Sequence, residues 1–187
     1  KLSSTARYIW AGVFLLVFFV SAAVALYLAM LIQGEAIYAA SRQSFQVTEA
    51  EPTPEEPLGQ PVFAVDFSAL QEWNPEVEAW IWIQDTEIFY PVIHTTDNEK
   101  YLKYSYDLQK SVNGSIFLDS RNNGDWQDHN TVVYGHNMKN GSMFGTLRKF
   151  YEDEVYEKAP YFWIYTPDLI YQYRIFSAAV VNKVGLT

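Results

Sequence analysis

The sequence of 187 residues contains no cysteine. Within these residues, disulfides, thiolate metal sites and a cysteine nucleophile are therefore excluded. Basic residues are also scarce, with 13 Lys and Arg against 22 Asp and Glu and a formal net charge of −9. Nucleic acid is not expected as a partner, because phosphate binding needs clustered Lys and Arg. The three histidines, His94, His129 and His136, do not show the short fixed spacing of a zinc site. The loop Asp119 to Asn130 holds Asp119, Asp125 and Asp128 with Asn122 and Asn123, but lacks the twelve-residue calcium pattern that closes on a Glu. No metal or other cofactor is expected. Gly-Xaa-Ser-Xaa-Gly does not occur, so Ser142, between Gly141 and Met143, reads as a turn and cap residue rather than a nucleophile elbow. No internal repeat is visible.

Aromatic residues are plentiful at 17%, enough to fill a core and to argue against disorder. Ile9 to Ile32 is a run of 24 residues without a charge, Gln or Asn. A helix of that length covers roughly 36 Å and crosses a bilayer with some tilt. A buried core helix and a cleaved signal peptide are the alternatives. The run exceeds the usual length of a signal core, although Ala22-Ala23-Val24-Ala25 offers small residues. Tyr8 and Trp10 suit a membrane interface, and Lys1 and Arg7 precede the span while Glu35 follows it. The charge asymmetry predicts a cytoplasmic N-terminus over residues 1–8 and an extracellular remainder. Glu35 to Gln46 could prolong the helix. Glu49 to Pro61 carries four prolines and four glutamates in thirteen residues and reads as an extended spacer, so residues 33–61 are assigned as a linker.

From Val62 the composition becomes globular. Asp66 is predicted to cap a short helix through Leu70 and Trp73, and Asn74-Pro75-Glu76 to start a second. Ala79 to Ile83 and Glu87 to Ile93 read as a hairpin around Gln84-Asp85-Thr86, with Pro91 marking an edge or a bulge. Asp97 or Asn98 is predicted to cap a turn holding Tyr101 and Leu102. Ser115 to Leu118 and Thr131 to Tyr134 read as strands on either side of the polar loop. Ser142 is expected to cap a helix with Met143, Phe144, Leu147 and Phe150, and another helix is expected near Glu152 to Lys158. Tyr161 to Thr166 and Leu169 to Val181 read as a final hairpin around Pro167-Asp168. Many short strands with few helices imply a mainly β barrel or sandwich with short helices. The start at Lys1 and the stop just after a strand pattern suggest a fragment.

His136 stands where Gly135 breaks the strand, ahead of an Asn- and Gly-rich turn. A histidine held by a strand end and exposed by a loop suits proton transfer. A satisfied structural histidine would look the same. With no cysteine and no elbow serine, the residues offer a candidate acid or base without a nucleophile.

Tyr134-Gly135-His136-Asn137-Met138-Lys139-Asn140-Gly141-Ser142-Met143-Phe144-Gly145 closely resembles the catalytic-histidine motif of class B sortases. Gly114-Ser115-Ile116-Phe117-Leu118-Asp119 with Arg121-Asn122 is similar, as are Asn74-Pro75-Glu76 leading to Trp80-Ile81, Tyr90 to Ile93, Asp97-Asn98 with Tyr101-Leu102, and Tyr165 to Asp168. These matches run in the family's order from about Phe67 to Val181. The resemblance implies a closed β-barrel over residues 62–187, incomplete here, behind one transmembrane helix. It implies a cell-surface cysteine transpeptidase of mainly Gram-positive bacteria, acting on a protein that bears a C-terminal sorting signal. The acceptor would be an amine of a peptidoglycan precursor or of a pilin. His136 would be the acid–base partner of a Cys thiolate, and Asn98, Leu102 and Tyr134 would line the sorting-signal groove. Asn98 as a helix cap, and Leu102 and Tyr134 as core, are the plain alternatives. The family's Cys and Arg would lie downstream of these residues, so the 187-residue chain alone is expected to be inactive. The rival expectation is a non-catalytic surface module that binds a sorting-signal peptide or wall component.

Overall fold

The structure, a computed structural model, describes residues 3–44, 64–152 and 155–181. The first element, α1 (Ser4–Ser44), contains the whole apolar run and continues past it. By length and composition it is able to cross a membrane, and the apolar window packs against nothing else in the molecule. Only its last turns return to the domain, where Tyr38 is buried. The Glu- and Pro-rich spacer lies outside the described residues.

The domain opens with α2 (Phe67–Trp73). The Asp66 carboxylate accepts from the Ala69 amide at 3.0 Å, the predicted cap. The second predicted helix, starting at Asn74, does not form. Asn74 instead closes α2, and β1 (Val77–Ile83) follows after one turn. The reason is tertiary: the Asn74 amide donates to Tyr101 Oη and to the Tyr106 carbonyl, both at 2.7 Å, while its own Oδ1 takes the Glu76 amide. The Glu76 bond is one a helix cap would also make, but the two bonds to Tyr101 and Tyr106 hold the buried amide to the domain.

β1 pairs antiparallel with β2 (Phe89–Ile93) across the predicted turn, and on its other side with β5 (Tyr161–Tyr165). The remaining strands are β3 (Ile116–Leu118), β4 (Val133–Tyr134) and β6 (Ile170–Arg174). The six form one sheet in the order β4-β3-β2-β1-β5-β6, with β2 and β3 parallel and the other pairs antiparallel. Pro91 lies inside this sheet rather than at its edge, paired with Trp80. It is tolerated because β3 reaches only Val92 and Ile93, leaving no partner strand on that side of Pro91. The bulge is in β1, between Val77 and Ala79. β4 is half the predicted length, since β3 offers pairing only at Phe117 and Leu118.

Trp80, Trp163, Tyr101 and Phe117 fill the core. Burying one such aromatic contributes on the order of 4 kcal/mol, against about 1 kcal/mol net for a ladder hydrogen bond. The aromatic layer between β1 and its neighbours therefore holds the sheet. β6 alternates cleanly: Tyr171 and Tyr173 turn inward, and Ile170, Gln172 and Arg174 outward. The chain after Arg174 leaves the sheet, short of the predicted end at Val181.

Two short helices, α3 (Lys149–Glu152) and α4 (Val155–Lys158), link the β4 side of the sheet to β5. Before them a 3-10 turn spans Gly145–Arg148, in place of the helix predicted from Ser142. Ser142 does not cap it. Its amide and hydroxyl both donate to Asn140 Oδ1, at 3.2 and 2.9 Å.

The two edge strands of the curved sheet face one another across a cavity of about 920 Å³. Ile81 and Ile83 of β1, Val133 of β4, Phe162 and Ile164 of β5 and Tyr173 of β6 line it. The architecture is a mainly β, barrel-like sheet with short helices and one long apolar N-terminal helix.

Candidate active site

Strand alternation sorts the residues around His136. Val133, Gly135 and Asn137 line the cavity, whereas Tyr134 and His136 project from the opposite side. Gly135 has to be glycine: a Cβ there would sit 2.4 Å from Ile116 Cδ1 and 2.7 Å from the Phe144 ring. The turn after His136 is tied back to it, since the Phe144 amide donates to the His136 carbonyl at 2.9 Å. Met143 adopts a left-handed φ of 52° and is fully buried, and its amide donates to Tyr90 Oη at 3.1 Å. The turn is thereby closed by one backbone bond and anchored to the Tyr90 hydroxyl.

The His136 imidazole is half-buried against Gly114. Gly114 has φ +57°, and a Cβ built on it would fall 3.0 Å from His136 Nδ1, 2.6 Å from the Tyr101 carbonyl oxygen and 3.0 Å from that of Leu102. His136 Nδ1 is buried without a hydrogen-bond partner. Burial pushes the imidazole below the ordinary histidine range, so the neutral ring predominates at neutral pH. A neutral imidazole on a rigid strand end is competent to accept a proton and return it.

The other three candidate residues converge on the same region. Just ahead of the 3-10 turn Lys100–Leu102, whose N-cap is Glu99, Asp97 accepts the Glu99 and Lys100 amides, both at 2.7 Å. Leu102 at its end is 41% exposed, so it is not core. Below it, Glu76 takes hydrogen bonds from Tyr101 Oη, at 2.5 Å, and from Lys100 Nζ. Asn98 does not cap this turn: its Oδ1 accepts the Ser120 amide at 2.8 Å. The neighbouring Asp119 is buried and accepts Arg121 Nε and Nη2 in a fork, each at 2.9 Å. Tyr134 Oη donates to the same carboxylate at 2.7 Å. The Arg121 bonds foremost, then the Tyr134 hydroxyl, hold Asp119 far below the usual carboxylate range, and the hydrogen bond to Asp119, with burial, in turn raises Tyr134. Asn98 is thus tied to the Ser120 backbone and Tyr134 to Asp119, while Gly114 lies between the His136 ring and the Leu102 carbonyl. Gly114 and Asp119 were not singled out as site residues from sequence. The Asn113-Gly114 turn signal and the buried-strand position of Asp119 are the cues that could have found them.

His94 and His129 lie elsewhere. His94 is 4.0 Å from Glu78, and His129 lines the cavity. Among the described residues no three His, Asp or Glu side chains cluster as a metal site.

The depressed imidazole has a consequence for stability. The unfolded chain takes up a proton near pH 6.5, while folded His136 resists it. Stability should therefore fall as pH drops below about 6.5, levelling off once the folded group is also protonated. Asp119 acts with the same sign, and its contribution is lost only in stronger acid. Thermal melts from pH 7.5 to 5 should show a falling midpoint in the parent chain and a flatter profile in His136→Gln. Equal slopes would remove burial of His136 as the cause.

A family model for the sortase domain matches residues 81–186. The chain belongs to the sortase family. Its relatives are of class B. Sortase B of Listeria monocytogenes is 42% identical over 108 residues, 58% of this chain and 44% of that protein. Sortase B of Staphylococcus aureus is 32% identical over 112 residues, 60% and 46% of the two. The match thus spans less than half the length of these curated relatives. Among solved structures, sortase B from Bacillus anthracis in complex with AAEK1 superposes with a TM-score of 0.65 at 32% identity, covering 79% of this chain and 67% of that one. A Staphylococcus aureus sortase B–substrate complex superposes with a TM-score of 0.55 at 30% identity, covering 58% and 50%.

Proposed function

We propose that this chain is the anchor and His136-bearing part of a class B sortase that cleaves a sorting signal and transfers the protein to an amine. His136 acts as acid and base, and Asn98, Leu102 and Tyr134 line the signal groove. The nucleophile is a Cys contributed from beyond Thr187. His136 takes the proton of the Cys thiol, the thiolate attacks the signal carbonyl, and the imidazolium returns that proton to the departing amine as the thioester forms. His136 then takes a proton from the incoming amine as the thioester is resolved. An Arg, also from beyond Thr187, stabilises the oxyanion. The acceptor is a peptidoglycan-precursor or pilin amine at the cell surface. α1 holds the enzyme in the membrane with residues 1–8 inside and the domain outside. The observation that carries this reading is the half-buried His136, two residues past β4, in a chain of the sortase family.

The coding sequence after Thr187 is the direct test. A Thr-Leu-Xaa-Thr-Cys-type strand followed within about a strand and a turn by Arg is expected. The protein so encoded should form a thioester with a sorting-signal peptide, trapped when amine is withheld. A stop codon directly after Thr187 would sink the catalytic reading. The absence of cysteine from these 187 residues favours a second reading, a non-catalytic module that binds the signal peptide or a wall component. It predicts peptide binding weakened by Tyr134→Ala or Leu102→Ala, with no thioester.

A further inference from the structure

The end of α1 meets the domain at the two supports of His136. Tyr38 Oη donates to the Gly114 carbonyl at 2.5 Å and lies 3.2 Å from Ser115 Oγ. Its ring packs edge-on against Tyr90 at 5.2 Å and lies 5.7 Å from that of Tyr106. One turn earlier, Glu35 Oε1 accepts from two asparagines at once, Asn113 Nδ2 at 3.3 Å and Asn140 Nδ2 at 3.0 Å. Gly34 makes room for this contact, since a Cβ there would lie 2.9 Å from the Asn113 amide. Gly114, next to Asn113, forms the floor on which the imidazole rests. Asn140 belongs to the turn that follows His136 and holds Ser142 through its Oδ1. Tyr90, against the Tyr38 ring, is the same residue whose hydroxyl takes the Met143 amide.

We propose that Glu35 and Tyr38 are positioning residues: the last turns of the membrane-type helix clasp the Gly114 floor and the 137–143 turn together and so fix the His136 imidazole between them. The functional meaning rests on His136 being the acid–base residue; the clasp itself does not. Helix geometry supports the arrangement. Tyr38 lies six residues beyond Ile32, about 9 Å along the axis, so the contact falls just past the apolar run. A helix unbroken from Ser4 to Ser44 carries no hinge between the apolar run and the clasp. The His136 turn is thereby held at a set height above the plane in which the apolar run would lie.

The test uses the full chain in lipid nanodiscs, with hydrogen exchange and imidazole NMR. Tyr38→Phe keeps the ring packing and removes the hydroxyl; Glu35→Gln keeps the shape and removes the charge that gathers the two asparagines. Each is expected to raise amide exchange about tenfold within 113–118 and 136–144, with β1, β5 and β6 unchanged. The His136 ring resonances, identified by their loss in His136→Ala, should shift and broaden, while those of His94 and His129 stay put. Exchange that is unaltered in both stretches, or raised equally across the whole sheet, overturns the proposal. So does an unmoved His136 resonance. Should Tyr38→Phe fail to fold, Glu35→Gln carries the same outcomes alone, its side chain being at the surface. None of these readouts requires turnover, so an inactive His136 would overturn the functional assignment and leave the clasp standing.

Discussion

Replacing His136 with Ala is expected to lower sorting-signal cleavage by the complete enzyme about 100-fold or more, with the thermal midpoint at pH 7.5 nearly unchanged. General acid–base catalysis contributes about 10²–10⁴-fold, and the proposed mechanism uses the same imidazole twice, once on each amine. The fold should survive because the ring is half-buried and its nitrogen Nδ1 has no hydrogen-bond partner to strand. The backbone bond from the Phe144 amide to the His136 carbonyl does not involve the side chain, so the turn remains tied. Single-turnover thioester formation and amine transfer should both fail. Turnover retained within a few-fold of the parent would remove His136 from the mechanism.

Gly114→Ala should damage both stability and catalysis. The residue sits at φ +57°, where a side chain costs about 1–2 kcal/mol before any contact is counted. The new Cβ would also press on two backbone carbonyls, 2.6 Å from Tyr101 and 3.0 Å from Leu102, and neither rotates away. The movable neighbour is the His136 ring, 3.0 Å off, so the ring is displaced. A displacement near 1 Å at a reacting group costs up to about 100-fold in rate. We therefore expect at least about 2 kcal/mol of lost stability, and a fall in kcat at temperatures where the variant remains folded. Gly141→Ala is the control. It shares a positive φ, of 88°, but has open space where the Cβ would go. It should lose stability through conformation alone and keep its rate. Equal activity losses in the two variants would mean that backbone strain, not the imidazole, is what matters.

The local features were legible because their causes are local. Asp66 and Asp97 bond to amides two or three residues on; Asp66 is the predicted cap, whereas the 3-10 turn starts from Glu99, one residue past the predicted Asp97 or Asn98. The hairpins β1–β2 and β5–β6 follow from alternating or apolar runs around short polar turns. The histidine motif and its flanking matches were enough to indicate the family, which the sortase-domain match and the class B relatives bear out. What failed was local chemistry overruled from afar. Asn-Pro-Glu is a sound helix start, yet the Asn74 amide is drawn to Tyr101 and Tyr106, more than 25 residues away. Ser142 is a sound cap, yet its hydrogen bonds go to Asn140 in a turn whose next residue, Met143, is held in a left-handed conformation by burial and by Tyr90.

The sequence alone determined the family, the long apolar helix and the histidine at a strand end, because each depends on composition or on spacing within a few residues. It also determined that no cysteine accompanies that histidine within these 187 residues. Only the tertiary structure decided what surrounds the imidazole. Gly114 beneath the ring, the Asp119 carboxylate that holds Tyr134, and the Glu35–Tyr38 turn of α1 come from segments about 15 to 100 residues away in the chain. Their meeting depends on the register of β3 against β4 and on the path of the helix, and no local pattern encodes either.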